Sequence, residues 1–280
     1  MTTANVASAT ISDSCPRESA LIAVENVTMR FPIPKRYREW VLAPFRRRRV
    51  GTALSNANLD VQTGDRIAVM GPNGAGKTTL LKLIAGVLLP TEGKVLVNGH
   101  STLEQSAAAR RSVGFVFNEE RSFFWRLSGV QNLEFFGALD NLYGRQLRER
   151  IEYVLELVGL SDAGDKAVYT YSSGMKQRLA IARVLIAEPD LLILDEPTRA
   201  LDPVACDQIV ELILSTIHRN SRKTLLIATH RPDEASLLCN KVLVVGGGNI
   251  LGRESIEGLN ARGTTVLEYY RQLMVNGERS

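Results

Sequence analysis

The sequence predicts an α/β fold: a mixed or parallel core sheet carrying helices, an antiparallel β section in front and a helical section in the middle. Three observations predict it. Short apolar runs at 21–29, 54–61, 66–70 and 94–98, parted by the turn signals Thr63-Gly64-Asp65 and Asn98-Gly99, describe an antiparallel front section. Segments 130–139 and 146–158 then carry apolar residues at helical spacing. From residue 175 onward helix and strand alternate, the order that builds a parallel sheet with helices on its faces.

Along the chain, residues 1–20 are rich in Ser, Thr and Ala without periodicity and read as a disordered leader. The front strands follow, and a further strand is predicted at 113–117. In the helical section Leu147, Ile151, Val154, Leu155 and Val158 line one face of a helix. Next come a helix at 175–187, a buried strand at 190–195, a helix at 204–218 and a strand at 224–229. The segment 265–275 reads as an amphipathic helix whose Val266, Tyr270 and Leu273 pack on the body. The chain thus divides into a leader, a body at 21–255 with its helical section at about 119–175, and a short helical tail at 256–280. No internal repeat is visible.

A chain of 280 residues, 45% hydrophobic and 23% charged, has an ordinary globular composition with ample material for a core. The longest apolar stretch, 83–89, is bracketed by Lys82 and Pro90 and falls well short of the about 20 residues that a membrane span requires. The first residues lack the basic-then-apolar pattern of a secretory signal. Cys15, Cys206 and Cys239 are odd in number and scattered, which suits a reducing compartment and argues against a disulfide frame or zinc site. A soluble, cytoplasmic protein is expected. The net charge of +4 is concentrated in Lys35-Arg36-Tyr37-Arg38 and Arg46-Arg47-Arg48-Arg49. Such a run reads as a solvated loop, a contact for anionic lipid headgroups or, least favoured, a contact for nucleic acid.

Residues Gly71-Pro72-Asn73-Gly74-Ala75-Gly76-Lys77-Thr78 complete the spacing of a phosphate-binding loop. Glycines let the backbone curl so that successive N–H groups point at phosphate oxygens. Lys77 adds a charge near the β- and γ-phosphates, and the Thr78 hydroxyl suits Mg²⁺. The loop follows an apolar strand, and Thr79 opens a helix-forming run whose N-terminal dipole faces the anion. The ligand class is a nucleoside triphosphate with magnesium.

Downstream, Leu191-Leu192-Ile193-Leu194 cannot be half exposed, so it is a central strand delivering Asp195 and Glu196 to the carboxyl edge of the sheet. There Asp195 would hold Mg²⁺ through its water shell and Glu196 would polarise the attacking water. Between these motifs, Tyr171-Ser172-Ser173-Gly174-Met175 leads into a second anion-binding helix start. One chain cannot easily bring two such starts to one triphosphate. A second copy could.

In this order the motifs resemble those of the ATP-binding cassette (ABC) ATPases, the nucleotide-binding subunits of ABC transporters, over about residues 20–255. The phosphate loop resembles their Walker A, 171–175 their signature, and 191–196 their Walker B. Ala200-Leu201-Asp202 resembles the D-loop, and His230 the switch histidine. The resemblance implies a P-loop ABC-type domain, ATP and Mg²⁺ as ligands, ATP hydrolysis, and a head-to-tail homodimer with ATP sandwiched between one Walker A and the other signature. It implies further that Ser172, Ser173 and Gly174 meet the γ-phosphate across the interface, that Asp202 communicates between sites, and that His230 bonds the γ-phosphate. Phe31 is the first candidate to stack on adenine, with Tyr37 and Trp40 as rivals. An integral membrane permease is the implied partner, which would put the chain on the inner face of the cell membrane.

This chain departs from the pattern in places. Asn118 stands where the family's Q-loop glutamine ligates the metal; it keeps the amide on an arm one methylene shorter. Met175 replaces a glutamine and Ser173 a glycine, neither of which removes the helix start. The run Phe123-Phe124-Trp125 reads either as permease docking or as packing of the helical section. The basic insert and Tyr-Ser-Ser-Gly-Met resemble ABC-2-type exporters of polysaccharides and teichoic acids. The Asp195–Thr198 and 200–203 runs resemble drug and lipid exporters. Export is the expected direction. A soluble single-cassette ATPase, such as one for cluster assembly, is the alternative.

Overall fold

The computed structural model describes residues 20–33, 50–117, 123–220 and 222–277. Asn118, Tyr37, Trp40, the basic runs at 35–38 and 46–49, and nearly all of the leader lie outside the described residues.

Two sheets organise the chain. The first is antiparallel, ordered β2-β1-β4-β5, from β1 (Ile22–Pro32), β2 (Val50–Val61), β4 (Glu92–Val97) and β5 (His100–Ser101). The second has the order β10-β9-β3-β8-β7-β6. It contains β3 (Arg66–Met70), β6 (Val113–Val116), β7 (Leu191–Asp195), β8 (Thr224–Ala228), β9 (Lys241–Gly246) and the edge strand β10 (Asn249–Ser255). Its neighbours pair in parallel except β10, which runs antiparallel to β9. This is an α/β cassette with a mixed sheet.

One grouping made from the sequence is corrected. Residues 66–70 sit among front strands in the sequence, yet β3 pairs in parallel with β8 and β9 at the centre of the large sheet. Both of its faces are apolar, as a central strand demands. Ile67 and Val69 join the core shared with the antiparallel sheet, while Ala68 and Met70 join the core on the opposite side. In β7, Leu191 and Ile193 face the first core, and Leu192 and Leu194 the second. Strand alternation thus serves two cores at once.

Helix α1 (Lys77–Ile84) is buried in the first core through Leu80, Leu81, Leu83 and Ile84, and α2 (Ser106–Arg111) contributes Ala109. The middle of the chain is helical: α3 (Gly129–Leu139), α4 (Gly144–Leu157) and α5 (Ser173–Leu185). A capping box between Ser128 and Gln131 fixes the start of α3. The stripe read from the sequence, Leu147, Ile151, Val154 and Leu155, is buried on α4. Helices α6 (Pro203–Arg219) and α7 (Pro232–Leu238) pack on the sheet, and α8 (Ile256–Ala261) and α9 (Val266–Gly277) end the described chain. Leu273 and Tyr269 of α9 fill the space where a Gly252 side chain would stand on β10.

Candidate functional site

The site lies where β3, β8 and β7 end side by side. Asp195 pairs with Ala228, and Ala228 with Val69, so the loops leaving these strands share one edge of the sheet. The loop after β3 curls tightly beneath β9: a Cβ on Gly71 would sit 2.2 Å from the Val245 carbonyl oxygen. At its far end Gly76 caps α1 with φ 107°, a backbone that side chains rarely adopt, and no side chain caps the first N–H groups of the helix. Those donors face a cavity of about 620 Å³ lined by residues 73–79 of the loop together with Phe31, Asp195 and Glu196.

Lys77 is 5% exposed, and its Nζ donates to the carbonyls of Gly71 at 2.7 Å and Pro72 at 3.0 Å. Burial pushes its ammonium pKa down, and the charges of Glu196 and Asp195 oppose that shift. Gly71 and Pro72 thus meet the lysine through their carbonyls, while Asn73, Gly74, Ala75, Gly76 and Thr79 line the cavity directly. A bound phosphate would compete with two carbonyls for the same cation.

The Thr78 hydroxyl donates to Asp195 Oδ1 at 3.2 Å, joining the phosphate loop to the end of β7. Burial raises the pKa of Asp195, and the hydrogen bond from Thr78 works against it. A hydroxyl and a carboxylate at this distance are hard oxygen donors that fit Mg²⁺, an ion commonly held by one or two carboxylates with the rest of its shell from phosphate and water. No group of three or more His, Cys, Asp and Glu residues among the described residues could hold a metal by itself.

Glu196 follows in a left-handed backbone conformation, φ 50°, and its N–H donates to the Ala228 carbonyl at 2.9 Å. One carboxylate oxygen pairs with Arg199 at 3.2 Å and the other lies 4.0 Å from His230 Nδ1. The Glu196 side chain is 12% exposed and that of His230 62% exposed, so the carboxylate is held and the imidazole projects. His230 stands two residues beyond β8, as its position in the sequence implies.

Sequence reasoning missed four cavity residues, Ala53, Lys82, Phe117 and Arg199. Phe117 lines it, with Lys82 Nζ 5.6 Å from its ring centroid, and Arg199 lines it beside Glu196. A cation three positions after a candidate catalytic carboxylate, on the same loop, was a readable signal for Arg199. Phe117 offered none, because its strand meets the cavity only through sheet order.

The remaining candidates do not line this cavity. Ser172 caps α5 by accepting from Met175 N at 3.2 Å, and Ser173 is exposed beside it. Gly174 is buried against α6, where its Cβ would meet Ala205 Cβ at 3.2 Å. Tyr171 is buried and donates its hydroxyl to the Ala163 carbonyl at 2.7 Å. Asp202 caps α6 by accepting from Ala205 N at 3.0 Å. The chain therefore presents two separate helix starts, one in a cavity with a buried lysine and one on the surface.

Phe123 packs against the core and edge-on to Phe136, whereas Phe124 and Trp125 are exposed. Both sequence readings of this run thus have residues that suit them.

A family model described as ABC transporter matches residues 54–199. The taurine import ATP-binding protein TauB of Ruegeria pomeroyi is 34% identical over 80% of this chain and 77% of its own length. The Nod factor export ATP-binding protein I of Cupriavidus metallidurans is 39% identical over 70% of this chain and 63% of its own length. Among solved structures, the dimeric post-hydrolysis state of the ATP-binding cassette MJ0796 bound to ADP and Pi superposes with a TM-score of 0.71 at 26% identity, covering 84% of this chain and 98% of that one.

Proposed function

Since the chain belongs to the ABC transporter ATPases, the ATP-hydrolysing subunits of transporters, we propose that it powers an ABC-2-type exporter of polysaccharide, glycolipid, or another lipid-like or drug substrate. Members of this family dimerise and pair with membrane permeases. The observation that carries the reading of this chain is the separation of its two helix starts. Lys77 and the loop around it form a phosphate cradle in the cavity, while Ser172, Ser173 and Gly174 lie outside it. A head-to-tail homodimer would bring the second start to the first.

In that arrangement Phe31, 38% exposed at the cavity rim, stacks on adenine. The loop N–H groups and Lys77 hold the triphosphate. Thr78, Asp195 and Asn118 would hold Mg²⁺, which would neutralise charge on the phosphates. Glu196 takes a proton from the attacking water, and His230 beside it contacts the γ-phosphate. Asp202, capping α6 beside Gly174, passes the state of one site to the other.

Export is supported by similarity to a Nod factor export protein and by the signature Tyr171–Met175, although a taurine import protein is also similar. Among the described residues no helix is long and apolar enough to cross a membrane. In this reading a permease does the work across the bilayer, and this subunit sits on its cytoplasmic side. Arg46–Arg49 would touch anionic headgroups there.

Two experiments test the proposal. Glu196→Gln should bind ATP, accumulate as a dimer and hydrolyse about 10²–10⁴-fold more slowly; a variant as fast as wild type removes Glu196 from the mechanism. Purification from membranes should recover a multi-span permease with the chain, and vesicles of that complex should move substrate outward. Recovery without a membrane partner would favour a soluble cassette ATPase.

A further inference from the structure

Beyond the site, one buried carboxylate has no part in the scheme above. Glu234, in the first turn of α7, is 3% exposed. An ionised carboxylate in an interior is unfavourable unless donors surround it, and an apolar side chain of similar size would pack there without that penalty. Two hydroxyls donate to Glu234. Thr198 Oγ1 donates to Oε1 at 3.0 Å, and Thr229 Oγ1 donates to Oε2. Both threonines are themselves buried, at 7% and 2% exposure.

The positions of these threonines carry the inference. Thr198 lies two residues after Glu196, and Thr229 lies immediately before His230. Their loops leave the neighbouring strands β7 and β8, and the bond from Glu196 N to the Ala228 carbonyl joins the two loops at the strand ends. Past that bond the two oxygens of one carboxylate link the loops again. Thr229 is fixed further by accepting from Arg231 N at 3.0 Å, and the Thr198 carbonyl accepts from Cys206 Sγ on α6 at 3.5 Å. Glu234 thus joins the loop of the carboxylate to the loop of the histidine, with connections to α6 and α7.

We propose that Glu234 is a positioning residue for ATP hydrolysis: by accepting from Thr198 and Thr229 at once, it sets Glu196 and His230 in register beside the reacting phosphate. This rests on the reading that Glu196 and His230 act there. The coupling is rigid because a carboxylate offers both oxygens from one plane, and charge-assisted hydrogen bonds are short and directional. A misplacement on the order of 1 Å at a reacting group lowers rates steeply.

The test uses the full chain, with steady-state ATP hydrolysis, fluorescent-nucleotide binding and thermal melting. Glu234→Ala should lower kcat by about 10–100-fold while KM for ATP changes by less than about twofold. Glu234→Gln, which can accept from one threonine and donate to the other, should recover most of kcat. Thr198→Val and Thr229→Val should each lower kcat, and the double variant should lose no more than the worse single, since breaking either bond uncouples the loops. Wild-type kcat in folded Glu234→Ala would overturn the proposal. So would losses from the two threonine variants that multiply, because each hydroxyl would then merely support its own loop. Should Glu234→Ala fail to fold, the threonine cycle and Glu234→Gln decide alone. Glu196→Gln and His230→Ala run alongside: if both hydrolyse ATP like wild type, the underlying reading fails rather than the coupling alone.

Discussion

The starts of α1 and α5 are both anion-binding helix termini in a sequence reading, and the structure builds them differently. At α1 the cap is Gly76, no side chain satisfies the first N–H groups, and Lys77 is buried beside them. At α5 the cap is Ser172, whose hydroxyl oxygen already accepts from Met175 N, and the surface around it is open. One start is left for a ligand to complete. The other has one of its first N–H groups, that of Met175, already bonded by the Ser172 side chain. The difference fits the proposed reading, in which the first start binds nucleotide in a single subunit and the second takes a ligand presented to it already bound.

That comparison can be broken most severely at Lys77. Lys77→Ala should lower hydrolysis by about 10²–10³-fold and weaken nucleotide binding to the single subunit, read by phosphate release and fluorescence titration. Normal binding would mean that the open start is not the primary cradle. Ser173→Glu should behave otherwise. A carboxylate on the exposed second start should leave binding to the single subunit intact, yet prevent ATP-driven dimerisation and lower hydrolysis by about 10²-fold. Size-exclusion chromatography in a Glu196→Gln background would show it, and a normal dimer would refute the role given to α5.

Glycine-to-alanine changes sharpen the contrast in stability. Gly76→Ala meets both a positive φ and the Ala53 carbonyl 2.6 Å from the new Cβ, and should destabilise by about 2 kcal/mol or more. Gly174→Ala meets a methyl group at 3.2 Å and should cost less than about 1 kcal/mol. Denaturant melts of the two variants give the ranking directly. A similarly small effect is expected from Ser172→Ala, which removes a cap on an exposed helix end worth about 1 kcal/mol. A larger loss would mean that Ser172 does more than cap.

Much of this was legible in the sequence where the signal is local. The phosphate loop, the four aliphatics before Asp195 and the stripe on α4 each declare themselves within a dozen residues. Sheet membership was not legible for β3, because pairing Ala68 with Ile227 and Val242 is settled by long-range packing. The strands β9 and β10 and helix α7 also went unread. Lys241–Gly246 is an apolar run that reads equally as strand or buried helix, and α7 is too short for periodicity to declare it. The place of Phe117 depends on the pairing of β6 with β7, and that of Glu234 on α7. Spacing along the chain could not show either.

Glu196 sits at φ 50°, a conformation that glycine or asparagine tolerates and that other residues occupy at a cost of about 1 kcal/mol. Drift under pressure for durability alone would therefore replace it. A lineage that kept the fold but no longer used its chemistry would be freed at this position first, and the inert descendant would be the sturdier protein.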